Sequence, residues 1–119
     1  MSDFGHVTAW SGVKVGRERQ AMTLWADALE FYEKAKANGL IDDYETQVFQ
    51  PTGNALPTGI ITLWGSQDQI DAIARNDDRR RLQARAGLIL DDLVETRSVR
   101  GAAVLEGIGT FQEAIDGLT

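Results

Sequence analysis

The residues best suited to chemistry are one histidine and a small group of aromatic side chains. His6 is the only histidine in the chain, and its unperturbed pKa lies close to neutral pH. It is therefore a candidate general base or haem ligand. A histidine near a chain start is more often a surface or interface residue, and this second interpretation stays open. As the sole candidate for proton transfer, His6 is the predicted catalytic residue.

The aromatic candidates are Trp10, Tyr44 and Trp64, whose apolar rings and polar tips suit a pocket for a flat aromatic molecule. Thr62 shares one side of its predicted strand with Trp64. These four residues form the predicted substrate-binding set. The same aromatic side chains also suit the centre of a protein–protein interface, where large aromatic residues dominate the binding energy. The residue types favour this second interpretation.

Other reactive patterns are missing from the sequence. The chain has no cysteine, which excludes disulfides, thiolate metal sites and cysteine nucleophiles. Three adjacent aspartate pairs match no calcium loop and are interpreted as caps and loop ends. The arginine run Arg79–Arg81, with Arg85, is predicted to be a solvated, ion-paired helix face. We therefore predict neither a metal site nor a cofactor.

Length and charge limit the classes of partner. At 119 residues the chain is expected to form a single domain over 1–119, with its core at about 4–101 and a C-terminal extension at 102–119. A net charge of −6 and an isoelectric point near 4.6 disfavour binding to nucleic acid or to an anionic membrane surface. No apolar run reaches the roughly 18 residues of a membrane span, so we expect a cytoplasmic location.

Hydrophobic periodicity predicts one long helix and four strands. Apolar residues at three- and four-residue steps predict a helix that follows Glu18 and closes at Asn38 and Gly39. Alternation predicts strands over about 4–13, 43–50, 59–64 and 93–99, with a turn-rich connection over 51–57.

The second helical region has clear start signals. Ser66 and Gln69 match a capping box, which predicts a helix start, and Asn76 is expected to cap a second segment. A short C-terminal helix is expected over about 105–115, and Gly107 and Gly109 predict that it begins late or frays.

The order strand, helix, strand, strand, helix, strand predicts a split β-α-β arrangement with both helices on one face of an antiparallel sheet. We expect Val7 and Ala9 to meet the helices with Ile61 and Leu63. The alternate positions would then line the uncovered face: His6, Thr8, Trp10, Ile60, Thr62 and Trp64. An apolar face of this size predicts a homodimer.

Three segments carry a resemblance to a known group: Val13–Glu18 before the long helix, Asn38–Gly39 after it, and Asn76–Arg80 in the second helical region. The chain resembles the dimeric α/β-barrel superfamily of ferredoxin-like domains, which includes antibiotic-biosynthesis monooxygenase-like proteins. Within it, the chain looks most like an uncharacterised bacterial branch. The resemblance implies an α+β fold of type β-α-β-β-α-β, two sheets packed face to face in a dimer, and a ligand pocket in each protomer. Haem-degrading relatives use a histidine on a helix, which this chain lacks.

Two classes of function follow. The first is a non-catalytic protein: either a small-molecule carrier or sensor that takes an apolar or aromatic ligand, or a dimeric module whose uncovered face serves only self-association. The alternative is a cofactor-independent monooxygenase or isomerase acting on an aromatic or polyketide-like compound, with His6 as its base. Few ionisable residues converge on the predicted pocket, which favours binding, and whether the protein is an enzyme stays open.

Overall fold

The fold is an antiparallel sheet covered by helices on one face, seen here in a computed structural model that describes residues 2–49 and 58–118. Its elements in chain order are β1 (Phe4–Trp10), β2 (Gly12–Val13), α1 (Glu18–Ala37), β3 (Asp43–Val48), β4 (Gly59–Gly65), α2 (Gln67–Ala74), α3 (Asp77–Ile89), β5 (Leu90–Asp91), β6 (Val94–Val99) and α4 (Ala102–Asp116). The four-stranded sheet has the order β3-β4-β1-β6, with every neighbouring pair antiparallel. The predicted α+β, ferredoxin-like topology is confirmed.

The long helix α1 forms where its apolar periodicity predicts it. Leu24, Ala28, Tyr32 and Ala35 are its buried residues, at steps of four, four and three. These steps place them on one side of the helix, which packs against the sheet and α3. Gly39 follows with φ +75°, a conformation that favours glycine, and ends the helix as expected.

The second helical region consists of α2 and α3, joined at Asn76. The capping box at Ser66 is present: its hydroxyl accepts from the Gln69 amide at 3.1 Å, while the Gln69 side chain accepts from the Ser66 amide at 2.7 Å. Asn76 caps α3 with a single hydrogen bond, in which its side-chain oxygen accepts from the amide of Arg79 at 3.0 Å. Both predicted helix starts are confirmed.

The strand register corrects one prediction about the sheet faces. His6 lies opposite Leu63 and Thr8 opposite Ile61, and directly opposed residues of antiparallel strands share a face. His6, Thr8 and Trp10 are therefore on the helix-covered face. The prediction that they line the uncovered face was wrong, and the expected positions of Val7 and Ala9 were wrong with it. The predicted positions of the β4 residues Ile61 and Leu63, against the helices, were correct.

The physical reason lies in β1 itself, where neither alternate set of residues is clearly apolar. Trp10 is buried on the helix-covered face because Gly59 opposite it has no side chain, and a Cβ there would overlap the indole ring. His6 is buried because it contacts a buried arginine, described below. The prediction placed Val7 and Ala9 against the helices because they are apolar, and it therefore exchanged the two faces of β1.

The other side of the sheet, here called the open face, is not covered by any described element of the chain. Its side chains are half-buried or exposed and come from all four strands: Val7 and Ala9 of β1, Glu45 and Gln47 of β3, Ile60, Thr62 and Trp64 of β4, and Val94 and Thr96 of β6. The predicted positions of Ile60, Thr62 and Trp64 on this face are confirmed.

Two features at the periphery were not expected. β2 and β5 form a separate two-stranded ribbon, so the first strand ends at Trp10 rather than near residue 13. α4 begins at Ala102, earlier than predicted, and only Ala103 of this helix is buried. Across the described residues, no helix combines the length and the apolar character that crossing a membrane requires.

Candidate functional site

An apolar cavity of about 300 Å³ lies between the sheet and the helices α1 and α3. It is at the end of the sheet where β1 stops and the β2–β5 ribbon begins. Exposed side chains such as Met22 and Val48 border it, so it is open to solvent. The residues that line it are Thr8, Trp10, Val13, Ala21, Met22, Leu24, Trp25, Ala28, Tyr32, Val48, Thr58, Ile61, Leu82, Gln83, Ala86 and Leu90.

Aromatic side chains from β1 and α1 form much of the wall. The rings of Trp10 and Trp25 meet edge to face, with centroids 5.8 Å apart and planes at 69°, a favourable arrangement for an aromatic pair. Ala28 follows Trp25 on α1, and its small side chain leaves space beside the indole ring. Small residues next to large flat ones give the cavity its volume.

The cavity wall carries a few polar groups and no charged side chain among the described residues. Gln83 of α3 lines the cavity, and its Nε2 is buried without a hydrogen-bond partner in the described part of the chain. A buried amide N–H without a partner is costly, by about 1–3 kcal/mol. Rotation of the half-buried Gln83 side chain towards the cavity would offer this amide to an acceptor on a bound molecule.

Beside the cavity, four polar side chains meet in what we call the Arg79 cluster: His6, Tyr32, Arg79 and Glu95. Arg79 is only 4% exposed. Its Nη2 donates to Glu95 Oε1 at 2.5 Å and lies 3.3 Å from His6 Nδ1. His6 Nε2 is 3.3 Å from the same Glu95 oxygen. Tyr32 belongs to both sites, because it also lines the cavity.

The electrostatics of the Arg79 cluster keep His6 neutral. Burial, and next the positive charge of Arg79, lower the pKa of His6 to about 4, although the Glu95 carboxylate opposes them. Burial raises the pKa of the Tyr32 hydroxyl and outweighs the charge and hydrogen bond of Arg79. At neutral pH both groups are uncharged. An imidazole in this state can accept a proton, but its low pKa makes it a weak base.

The structure separates the predicted site residues into two groups. His6, Trp10 and Tyr44 are on the helix-covered face, and of these only Trp10 lines the cavity. Tyr44 donates to Glu33 Oε1 at 2.8 Å, and its ring centroid is 5.9 Å from that of Tyr32.

Thr62 and Trp64 are on the open face, away from the cavity. The guanidinium of Arg100 lies over the Trp64 ring, 3.9 Å from its centroid, and Gly5 opposite provides the space that this ring occupies. The five residues thus do not converge on one site.

Sequence reasoning missed the residues that give the cavity and the Arg79 cluster their polar character. Arg79 was interpreted as part of a solvated face, and that interpretation was wrong for this residue; Arg81 is exposed and pairs with Asp78 at 2.8 Å, as expected. The signal was available, because Arg79, Leu82, Gln83 and Ala86 lie three, one and three residues apart. This spacing places all four on one side of a helix.

Metal ligands do not come together in the described residues, where no group of three or more His, Asp or Glu side chains is placed to hold an ion. Asp77 and Asp78 are in the first turn of α3, just after its N-cap Asn76, rather than being caps or loop ends themselves. There, negative charge favours the helix N-terminus.

Comparison with protein-family models and with curated proteins finds no match for this chain. Solved structures do match. A dimeric ferredoxin-like protein of unknown function from Thermobifida fusca is 12% identical, with a TM-score of 0.66 over 83% of this chain and 92% of the other.

Two further structures resemble the chain in the same way. A dimeric protein of unknown function and ferredoxin-like fold from Bacteroides fragilis is 9% identical, with a TM-score of 0.60 over 82% and 95% of the two chains. A conserved protein from Methanosarcina mazei is 18% identical, with a TM-score of 0.61 over 84% and 95%. At these identities the likeness is one of fold, and this chain has the ferredoxin-like fold.

Proposed function

We propose that the protein binds a small apolar molecule in the cavity between the sheet and helices α1 and α3. The cavity itself is the observation that carries the proposal. About 300 Å³ of space lined by Trp10, Trp25 and aliphatic side chains is within the size range of small-molecule sites. Removing apolar surface of this kind from water lowers the free energy of the complex, which favours binding of an apolar ligand.

The polar groups of the cavity define the ligand more closely. The lack of charged side chains among the described lining residues favours a neutral molecule, because a buried unpaired charge is costly. The free amide N–H of Gln83 favours one hydrogen-bond acceptor on that molecule. We therefore infer a flat, neutral compound with a carbonyl or similar oxygen.

A matched pair of probes tests this inference. 2-Acetylnaphthalene carries the carbonyl and 2-ethylnaphthalene lacks it, while their shapes are similar. Quenching of Trp10 and Trp25 fluorescence would report binding. We expect the ketone to bind roughly tenfold more tightly, which corresponds to one net hydrogen bond of about 1.4 kcal/mol.

Two variants make the test specific. Gln83→Leu should remove the preference for the ketone and leave binding of 2-ethylnaphthalene unchanged. Ala86→Phe should fill the cavity and prevent binding of both probes, whereas the open-face variant Thr62→Val should bind both normally. If neither probe binds the wild type, or Ala86→Phe binds them as the wild type does, the cavity is not the site.

Catalysis is the second candidate, in the form of a cofactor-independent monooxygenase or isomerase related to the antibiotic-biosynthesis monooxygenase-like proteins. The observation in its favour is the Arg79 cluster, because Tyr32, which hydrogen-bonds with Arg79 of that cluster, also lines the cavity. Against it, His6 does not line the cavity and its pKa of about 4 makes it a weak base. Conversion of 2-acetylnaphthalene to its enol, followed as deuterium exchange of the methyl group, would support catalysis if His6→Gln abolished it.

We also propose that the protein is a cytoplasmic homodimer that pairs through the open face. Val7, Ile60 and Trp64 give this face apolar surface of the kind that subunit interfaces bury. The similar proteins from Thermobifida fusca and Bacteroides fragilis are described as dimeric. Light scattering should give a mass of at least two chains, and Ile60→Glu should reduce it. A monomeric wild type at 100 µM would reject this interface.

A further inference from the structure

The C-terminal helix α4 presents an apolar stripe that no described part of the chain covers. Val104, Ile108, Phe111 and Ile115 are exposed by 37%, 58%, 68% and 41%. Leu118, just beyond the helix, continues the series. The steps of four, three, four and three residues are those of a coiled-coil seam. We call these five residues the α4 stripe.

The spacing favours another helix as the partner. Positions that repeat every 3.5 residues on average form a nearly straight row along a helix, which fits between the side chains of a second helix. Small residues beside the stripe, Gly107 and Ala114, allow close approach. The acidic residues Glu106 and Glu113 are on the opposite side of the helix, so two such stripes can meet without bringing like charges together.

α4 has little support from its own chain. Two glycines lie inside the helix, and each lowers helix stability by about 0.5–1 kcal/mol relative to alanine. A helix of 15 residues is marginal in water even without glycine. The chain just before its N-cap is nevertheless fixed to the body: the Arg100 amide and Nε donate to the carbonyls of Asp3 and Ser2 at 2.9 Å and 2.8 Å. The helix is therefore held in place with its apolar side uncovered.

We propose that α4 is a self-association helix whose stripe packs against α4 of a second copy of this chain. A membrane surface is the less suitable partner, because residues 102–118 contain no Lys or Arg, which interfacial helices carry on their polar side. Self-pairing requires only what the stripe already offers, namely an apolar seam with uncharged flanks. It adds a second contact between copies, distinct from the open face and from the cavity.

Disulfide trapping tests this pairing directly, because the chain contains no cysteine of its own. Phe111 is the middle residue of the α4 stripe, so it faces its counterpart whether the two helices run parallel or antiparallel. Phe111→Cys should form a covalent dimer on mild air oxidation. Glu113→Cys is the matched control on the opposite side of α4 and should form at least tenfold less. Equal cross-linking of the two variants would overturn the proposal.

A second experiment measures the association without a cross-link. Ile108→Glu places a charge in the stripe and should weaken association of the chain at least tenfold by sedimentation, while its circular dichroism and its binding of 2-ethylnaphthalene stay those of the wild type. Glu106→Gln should leave association unchanged. If Ile108→Glu associates as the wild type does, α4 does not pair, and the cavity and open-face proposals are unaffected by that result.

Discussion

The two faces of the sheet are formed by the same strands but differ in the side chains that they carry and in how deeply these are buried. On the helix-covered face, His6 and Thr8 are polar and only 7% exposed each. On the open face, Val7 and Ile60 are apolar and only half-buried. The polar side chains are buried because His6 contacts an ion pair and Thr8 borders the cavity. The apolar side chains remain partly exposed on the face that we propose a second copy covers. Burial within one chain is therefore a poor guide to what each face does.

Neighbouring isoleucines give the largest expected contrast between the faces. Ile61 is 6% exposed beneath the helices, and Ile60 is half-buried on the open face. Ile61→Ala should lower the free energy of unfolding by about 3 kcal/mol, because it removes a buried side chain and enlarges the cavity beside it. Ile60→Ala should cost about 1 kcal/mol in the monomer.

Urea denaturation at low protein concentration measures both isoleucine variants. Repeating it at high concentration sharpens the comparison, because only Ile60→Ala should then lose additional stability through weaker association. Equal losses for the two variants at low concentration would contradict the distinction between a covered and an open face.

Two arginines on α3 provide the next contrast. Arg79→Ala should cost roughly 2–3 kcal/mol, because it removes a buried charge-assisted hydrogen bond to Glu95 and the packing of the side-chain stem. Glu95 is 37% exposed in its side chain and can regain water, which limits the loss. Arg81→Ala should change stability by less than about 0.5 kcal/mol, since its ion pair with Asp78 is exposed.

Thermal unfolding of these two arginine variants, followed by circular dichroism, checks the prediction. Arg79→Lys is a useful third variant: it keeps the charge but loses the planar donor group, so it should recover only part of the loss. If Arg79→Lys recovered all of the stability that Arg79→Ala loses, the positive charge alone, rather than the planar guanidinium, would account for the contribution of Arg79.

The buried histidine predicts how stability depends on pH. The pKa of His6 is about 4 in the folded protein, below the ordinary value of 6.5. Between these values the unfolded chain binds more protons, so stability is full above about pH 6.5 and falls as the pH decreases towards 4. Between pH 7 and pH 5 the loss from this group should reach up to about 2 kcal/mol.

The variant His6→Gln isolates that histidine contribution. The wild type should lose more stability than the variant between pH 7 and pH 5. The difference between the two losses is the quantity to measure, because the two proteins differ only in this one titratable side chain. Parallel curves for the two proteins would show that His6 is not held neutral by the fold.

Local signals predicted most of the fold correctly, and the face of β1 shows where they stop. The capping box at Ser66 and the glycine at Gly39 act within a few residues, so the sequence contains the whole interaction. The burial of His6 depends on Arg79 and Glu95, which are far away in the sequence. Neither side of β1 is distinctly apolar, so the sequence of this strand alone does not show which side is buried or that Arg79 and Glu95 contact His6.

The cavity could not be predicted from the sequence for the same reason, because it depends on segments that are far apart in the chain. It arises where α1, α3 and the sheet fail to fill the space between them, and no single segment encodes a gap. Trp10 was predicted to line a pocket, and it does line the cavity, although the strand was placed the other way round. The polar residues of the cavity required the position of α3 to be known.

The smallest effect concerns Trp64, the aromatic residue that the open face leaves partly accessible. Arg100 lies over its ring at 3.9 Å, and a cation–π contact at an exposed site contributes about 0.5–1 kcal/mol. Arg100→Met keeps the length of the side chain but loses both this contact and the Nε hydrogen bond to Ser2, so it should cost about 1–2 kcal/mol in the isolated monomer. Because Trp64 is a proposed interface residue, the same variant should change the association constant as well. An effect on unfolding alone would mean that Arg100 only anchors the start of α4, through Ser2 and Asp3, and that the partner copy does not reach this end of the open face.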